Sequence, residues 1–316
     1  MITKLSTLNM SHEEWLMQRC KGIGGSDAGA LLGLNPYRGA YDVYADKIGM
    51  APPVEDNEAM RQGRDLEAYV AERFEQETGK RVRRRNAIIS NSAYPFALAN
   101  IDREIVGEHA GLECKTTSVL NLTRYKNGEF PSEYYCQCMH YLMVTGWDKW
   151  YLAVLVYGTD FKIFEINAEY DEIAALAEAE RRFWEDNVKK GVPPAPSGSD
   201  GTDKTISAVY PNDNGDIDTV DITPFASEVR RYIALTDRIK TYDREKNAIK
   251  QRIQLYMQDA GRAKCDIAKV SWKSQTRSRY DTEKLIADFV PAGTDLSAYR
   301  KTTTIRPFRL EEIKNG

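Results

Sequence analysis

Asp102, Glu113 and Lys115 are the residues of this chain whose types and spacing could do chemistry. Asp102 stands on one apolar run; eleven positions later Glu113 and Lys115 flank Cys114 on another. If both runs are strands, they form a hairpin. Alternation then puts the Glu113 and Lys115 side chains on one face and Cys114 on the other. Two carboxylates can hold a divalent cation, and the main-chain carbonyl of Cys114 can add an oxygen ligand. Magnesium prefers such ligands and keeps several waters. A bound cation lowers the pKa of its water and polarises a phosphate, while Lys115 holds that water or helps deprotonate it. The chemistry expected is phosphodiester hydrolysis. Taken alone, Glu113 and Lys115 also fit an ordinary solvated ion pair on a strand.

The surrounding elements must position this hairpin. Ser11 and Glu14 form a capping-box pattern at a helix start. A glycine-rich turn from Lys21 to Gly25 leads into a short helix capped by Ser26 or Asp27. Tyr41 to Ile48 is a short helix. A longer helix is predicted from Glu58 to Thr78, with Leu66, Tyr69, Val70 and Phe74 at helical spacing and Gly79 as its stop. Three strand-like segments follow: Arg81 to Ser90, Phe96 to Val106, and Gly111 to Thr116. Glu133 to Val144 is a helix, Trp150 to Tyr157 and Phe161 to Ile166 are strands, and Ala168 to Lys190 is a helix. The order α-β-β-β-α-β-β-α predicts an α/β (α+β) layer fold, a mixed central sheet flanked by helices.

Proline, glycine and serine cluster from Val192 to Gly201 and mark a break. The expected organisation is a core over 1–192, a linker over 193–223 and a C-terminal helical and hairpin module over 224–316. In that module Pro224 to Ala260 reads as one long, coiled-coil-like helix with an imperfect apolar stripe. Lys264 to Tyr280 reads as a hairpin. Asp281 caps a short helix to Phe289, and Thr302 to Leu310 is a last strand. Arg277, Arg279, Tyr280, Arg306 and Arg309 fit a solvated surface, or a contact with DNA or a partner.

Of the chain's 316 residues, 42% are apolar and 29% charged, ordinary values for a globular protein, and the length suffices for a full core. No stretch is apolar enough to cross a bilayer, and the start of the chain lacks a signal-peptide run, so a cytoplasmic protein is expected. Five cysteines at irregular spacing predict no disulfide framework. Cys136 and Cys138, two apart on a helix, diverge and are poor joint metal ligands. The net charge of −3 neither advertises nor excludes nucleic acid, because binding depends on local patches. Lys80 to Arg85 is one such patch, a solvated strand edge by itself and a candidate phosphate-tracking surface beside a metal hairpin.

Several separate blocks stand in a recognisable order. They are Trp15 to Arg19, Ile23 to Asp27, Leu31 to Tyr37, Gly63 to Glu67, Asn100 to Asp102, Leu112 to Lys115, and Tyr135 to Gln137 with His140, Tyr141 and Val144 to Gly146. Over Trp15 to about Tyr157 the chain resembles the YqaJ-type viral recombinases, relatives of the lambda exonuclease in the PD-(D/E)XK nuclease superfamily. The resemblance implies a restriction-endonuclease-like core. It implies that Asp102 and Glu113 are metal ligands, that Lys115 is catalytic, and that Glu67 faces the metal directly or through water. It places Gln137 in a helix motif that supports the site and contacts substrate. Arg19 and Ser26 match the pair that serves the 5′-phosphate of the cut strand. An arginine fork and a hydroxyl near a helix N-terminus make a sensible anion pocket. One glutamine of the lambda-type helix is Met139 here, a departure from that pattern which removes the amide contact. His140 is expected to pack or orient rather than to ligate.

The activity implied is a Mg2+-dependent exonuclease, with Mn2+ able to substitute. It would digest one strand of double-stranded DNA 5′→3′ and leave a 3′ single strand for a RecT/Beta-like single-strand annealing protein. A phage or prophage origin and a homo-oligomer, in the lambda-type form a trimeric ring, are implied with it. Two alternatives stand beside this reading: a structure-specific endonuclease with the same site, and a non-catalytic DNA-recombination module.

Overall fold

Ile2–Ser6 forms a strand, β1, that no turn signal announces; it pairs antiparallel with Ala87–Asn91 (β4). The computed structural model describes every residue except 52–55, 214, 216–218, 292, 304 and 311–316. The chain forms two compact units, Met1–Pro211 and Asn212–Gly316.

After β1 the first unit continues through α1 (His12–Arg19), β2 (Ile23–Gly24), α2 (Gly25–Leu31), α3 (Ala40–Lys47) and α4 (Glu58–Thr78). Then come β3 (Val82–Arg84), β4, β5 (Tyr94–Asn100), β6 (Arg103–Ile105), β7 (Ala110–Thr117), α5 (Ser132–Thr145), β8 (Lys149–Val156), β9 (Asp160–Asn167), α6 (Tyr170–Arg182) and α7 (Asp200–Val209). The α/β expectation holds, but the single sheet resolves into two mixed sheets, ordered β1-β4-β5-β2 and β3-β6-β7-β8-β9.

Two expected strands break to make this possible. Arg81 to Ser90 gives β3 to one sheet and β4 to the other; Phe96 to Val106 divides the same way into β5 and β6. Asp102 therefore sits at the corner where the chain changes sheets. β6 and β7 then form the expected hairpin, with Arg103 opposite Leu112. β7 and β8 run parallel, with α5 as the crossover between them.

Alternation along β7 sorts two cores. Ala110, Leu112 and Cys114 pack with Val70, Ala71 and Phe74 of α4. On the other side, α5 carries Cys138, Met139, Leu142 and Met143 into a core shared with β5, β8, α2 and α6. Gly111 lies under the Trp150 ring, where an added Cβ would meet ring carbons at 2.3 Å. Met139 is buried in this core, so the departure from the lambda-type glutamine is a packing residue.

Part of the stretch expected as a linker, 193–223, is helical. Ser199 accepts the Thr202 backbone N–H and starts α7. Buried Thr202 donates to Asp42 at 2.9 Å, and Gly201 lies against the Tyr37 carbonyl too closely for any Cβ. α7 thus belongs to the first unit, whose boundary falls after Pro211. The helix expected to reach Lys190 is α6 followed by a π-helical stretch, Phe183–Val188.

In the second unit, a 3-10 turn at Thr223–Phe225 leads into α8 (Ala226–Met257). The hairpin is shorter and earlier than expected: β10 (Arg262–Lys264) pairs with β11 (Lys269–Ser271). Asp281 caps α9 (Thr282–Phe289) as expected. The last expected strand is absent among the described residues of 302–310; Arg306 there donates to the Asn212 carbonyl instead of joining a ladder.

Candidate active site

Asp102 is pinned by its own hairpin. Its Oδ2 accepts the Cys114 backbone N–H at 2.8 Å, just past the last β6–β7 pair. In a pleated strand the N–H and C=O of one residue face the same neighbour. The Cys114 carbonyl therefore faces the edge where Asp102 lies, and among the described residues no strand covers that edge beyond Leu112.

Glu113 is buried on the α5 side of β7. Its Oε1 accepts from Lys115 Nζ at 2.6 Å and from Gln137 Nε2 at 2.7 Å. Gln137 also donates to the Tyr141 hydroxyl at 2.8 Å, so both amide hydrogens are used. Glu113 Oε2 is buried and has no partner among the described residues. Asp42 and Glu180 share that feature, but at Glu113 it coincides with Asp102, Lys115 and Gln137.

The electrostatics follow from this crowding. Burial first, then the charges of Glu113 and Glu67, push the Asp102 carboxyl well above the usual carboxylate range. For Lys115 burial favours the neutral amine, but Glu113 and Asp102 outweigh it and hold the ammonium above the ordinary lysine value. Its Nζ also lies 4.9 Å from the centre of the Tyr134 ring. In this setting the Lys115 ammonium can hold a water or a phosphate oxygen.

Glu67, half-buried on α4, pairs with Arg103 and lies 3.8 Å from Arg84. Arg103 is buried and also donates to the Asp102 carbonyl at 2.8 Å. Pattern reading overlooks Arg103 because its partner lies 36 positions away; its one local signal is a charge inside an apolar run. No group of three His, Cys, Asp or Glu side chains stands close enough to hold a metal among the described residues. Asp102 and Glu113 come together; Glu67 stays with Arg103. Two carboxylates, one with a free buried oxygen, still fit a magnesium ion, which commonly takes one or two carboxylates and completes its shell with water and phosphate.

The second candidate pair is also brought together. Arg19 Nη2 donates to Ser26 Oγ at 3.2 Å, with the guanidinium 4.9 Å over the Trp15 ring. Ser26 is exposed and does not cap α2; the Asp27 carboxylate takes that task, accepting the Gly24 N–H at 3.0 Å. Gly25 is what joins this end of α2 to Gln137 and Tyr141, and through Gln137 to Glu113. An added Cβ would meet the Tyr141 ring at 2.5 Å and Gln137 at 3.2 Å, so only glycine lets α2 lie on these two side chains.

His140 is fully buried between the Glu180 carboxylate at 2.7 Å and the Leu98 carbonyl at 3.0 Å, an orienting place as expected. The basic stretch is mostly occupied: Arg83 and Arg85 both pair with buried Glu104, and Lys80 with Glu108. Arg84 remains more than half exposed.

Comparison with known proteins places the chain. The family model described as a YqaJ-like viral recombinase domain matches residues 14–148. All of the candidate residues fall inside that stretch. "Uncharacterized protein YqaJ" of Bacillus subtilis (strain 168) is 37% identical over 308 residues, covering 96% of this chain and 95% of that protein. The chain belongs to the YqaJ-like viral recombinase family. The relative matches along the second unit as well. Among solved structures, an alkaline exonuclease from Laribacter hongkongensis is similar, with TM-score 0.48 and 17% identity over 57% of this chain and 94% of that one. A phage-related exonuclease from Haemophilus somnus 129PT gives TM-score 0.40 and 10% identity over 54% and 96%. No helix among the described residues is long and apolar enough to cross a membrane.

Proposed function

We propose that this chain is a divalent-metal-dependent deoxyribonuclease that digests one strand of a DNA duplex from its 5′ end. The observation that carries the reading is Glu113: a buried carboxylate with one unpartnered oxygen, beside Asp102, with Lys115 and Gln137 on its other oxygen. Such an arrangement is costly without a cation and is relieved by one.

Asp102, Glu113 and the Cys114 carbonyl would hold Mg2+, or Mn2+ in its place. When bound, the ion supplies an acidified water and a polarised phosphate. Gln137 fixes the Glu113 carboxylate, spending both amide hydrogens on Glu113 and Tyr141. Lys115, as an ammonium, orients the attacking water or a phosphate oxygen. Glu67 keeps a third carboxylate nearby through Arg103. The direction rests on Arg19 and Ser26, which would take the terminal 5′-phosphate while the adjoining nucleotide reaches the hairpin past Gly25. The product, a 3′ single strand, suits a RecT/Beta-like annealing protein. A ring of copies around the duplex would keep a chain of net charge −3 on its substrate.

An end-labelled linear duplex tests this. With Mg2+, a 5′ label is released as mononucleotide before a 3′ label shortens, EDTA stops both, and covalently closed circles survive. Rapid loss of closed circles would overturn the exonuclease reading.

A further inference from the structure

α8 has only Met257 buried over its 32 residues, so the helix is held by little of its own unit. Helices of this kind draw their stability from packing an apolar face rather than from propensity. Within the unit the half-covered positions of the helix are Ala226, Val229, Ile233, Thr236, Asp243 and Gln254. A different face is strictly patterned. From Tyr232 to Tyr256 the residues at alternating spacings of three and four are Leu235, Ile239, Tyr242, Lys246, Ile249 and Ile253, apolar except Lys246. That is a 3.5-residue repeat, the period of a left-handed coiled-coil seam, sustained for more than three heptads. Leu235, Ile239, Tyr242, Ile249 and Ile253 are each between 40% and 67% exposed. At the first seam position Phe308 meets the Tyr232 ring edge-on, 6.0 Å between centroids.

The flanking charges say what covers the seam. With Ile239 and Ile253 at a positions, the g and e positions of the middle heptads are Arg238, Asp243, Glu245 and Lys250. In a parallel pair of identical helices, each g residue faces the e residue five positions on in its partner. Arg238 then meets Asp243 and Glu245 meets Lys250, both of opposite sign. Lys246 is the single polar a residue, a device that sets register at some cost in stability. Its ammonium already leans 2.5 Å from Asp243 beside the seam.

We propose that α8 is a self-association seam that docks a second copy of this chain, helix against helix, parallel and in register. This is independent of the catalytic reading, since it uses no residue of the metal hairpin.

Disulfide trapping and solution mass test it on the full chain in a Cys265→Ser background, which removes the exposed thiol. Ile239→Cys should give a covalent dimer under mild oxidation, while Arg244→Cys, on the outer face, should not. Glu245→Lys should lower the solution mass, and adding Lys250→Glu should restore it; Lys246→Ile should preserve the pair at about tenfold lower concentration. Equal trapping at both cysteine positions, a chain of single-copy mass, or no rescue by the charge swap would overturn the proposal. Because the rescue restores a signal, it separates lost pairing from lost folding.

Discussion

Asp27 and Asp102 lie in the same unit, and each accepts a backbone N–H, from Gly24 and Cys114 respectively. Their surroundings are opposite. Asp27 faces Lys47 at 2.7 Å and Arg38 at 3.4 Å. Burial alone would raise its carboxyl, but Lys47, Arg38 and Arg19 together hold it well below the usual range. Asp102 faces Glu113 and Glu67, and with burial these push it up, against Lys115. Asp27, buried, is compensated and holds the fold around α2; Asp102, half-buried, is left short of positive charge, in the place where a cation and a phosphate would be useful. Two carboxylates that composition cannot tell apart thus differ in charge balance, and the under-compensated one is the candidate for chemistry.

The comparison breaks most visibly by substitution at the under-compensated site. Glu113→Gln and Lys115→Ala should each lower duplex degradation by about 10³-fold or more, the scale of removing a key charge or acid-base group. Neither should unfold the protein. A melting temperature that collapses with the activity would mean the hairpin is a structural ion pair.

Asp27→Asn should do the reverse. It leaves Lys47 buried without its partner, which costs about 3–5 kcal/mol, measurable as a shift in the urea midpoint. The pH dependence has a defined sign. Asp27 is depressed below its ordinary 3.8, so its contribution is complete at neutral pH and is lost as pH falls below that value. Acid unfolding of the parent should therefore begin below about pH 4, and Asp27→Asn should lose that part of the transition. An unchanged urea midpoint would erase the contrast.

A divalent ion sharpens it further. Ca2+ in metal-stripped protein should raise the melting temperature by a few degrees, about 2.7 kcal/mol at roughly 100 times its Kd. The rise should vanish in Glu113→Gln and persist in Arg19→Ala. The smallest effect is expected at the N-terminal pocket: Arg19→Ala should reduce the preference for 5′-phosphorylated over 5′-hydroxyl ends about tenfold, or 1.4 kcal/mol. A preference that survives intact would remove Arg19 from the 5′ end.

How much of this was legible in the sequence depends on range. α4 begins at Glu58 and ends at Thr78 as its periodicity and Gly79 require, and the alternation of Glu113, Cys114 and Lys115 is as expected, because both patterns are local. The sheet change at Asp102 was not legible, since the strand-like segment from Phe96 to Val106 has no turn residue at Asp102, where its hydrogen-bond partners change. Arg103 with Glu67 and His140 with Glu180 are pairings across the fold that no window contains. α7 was hidden by the prolines and glycines before it; what holds it is one buried threonine and one close glycine.

On the proposed reading, Asp102 and Glu113 hold a divalent cation with which the chain hydrolyses DNA from a 5′ end. One measurement addresses it directly: release of nucleotide from a 5′-labelled linear duplex by parent and Glu113→Gln protein, with Mg2+ and with EDTA. Rapid release by the parent in Mg2+ alone, with Glu113→Gln near the EDTA baseline, is the expected result. Equal release by both proteins, or release that EDTA leaves untouched, would contradict it.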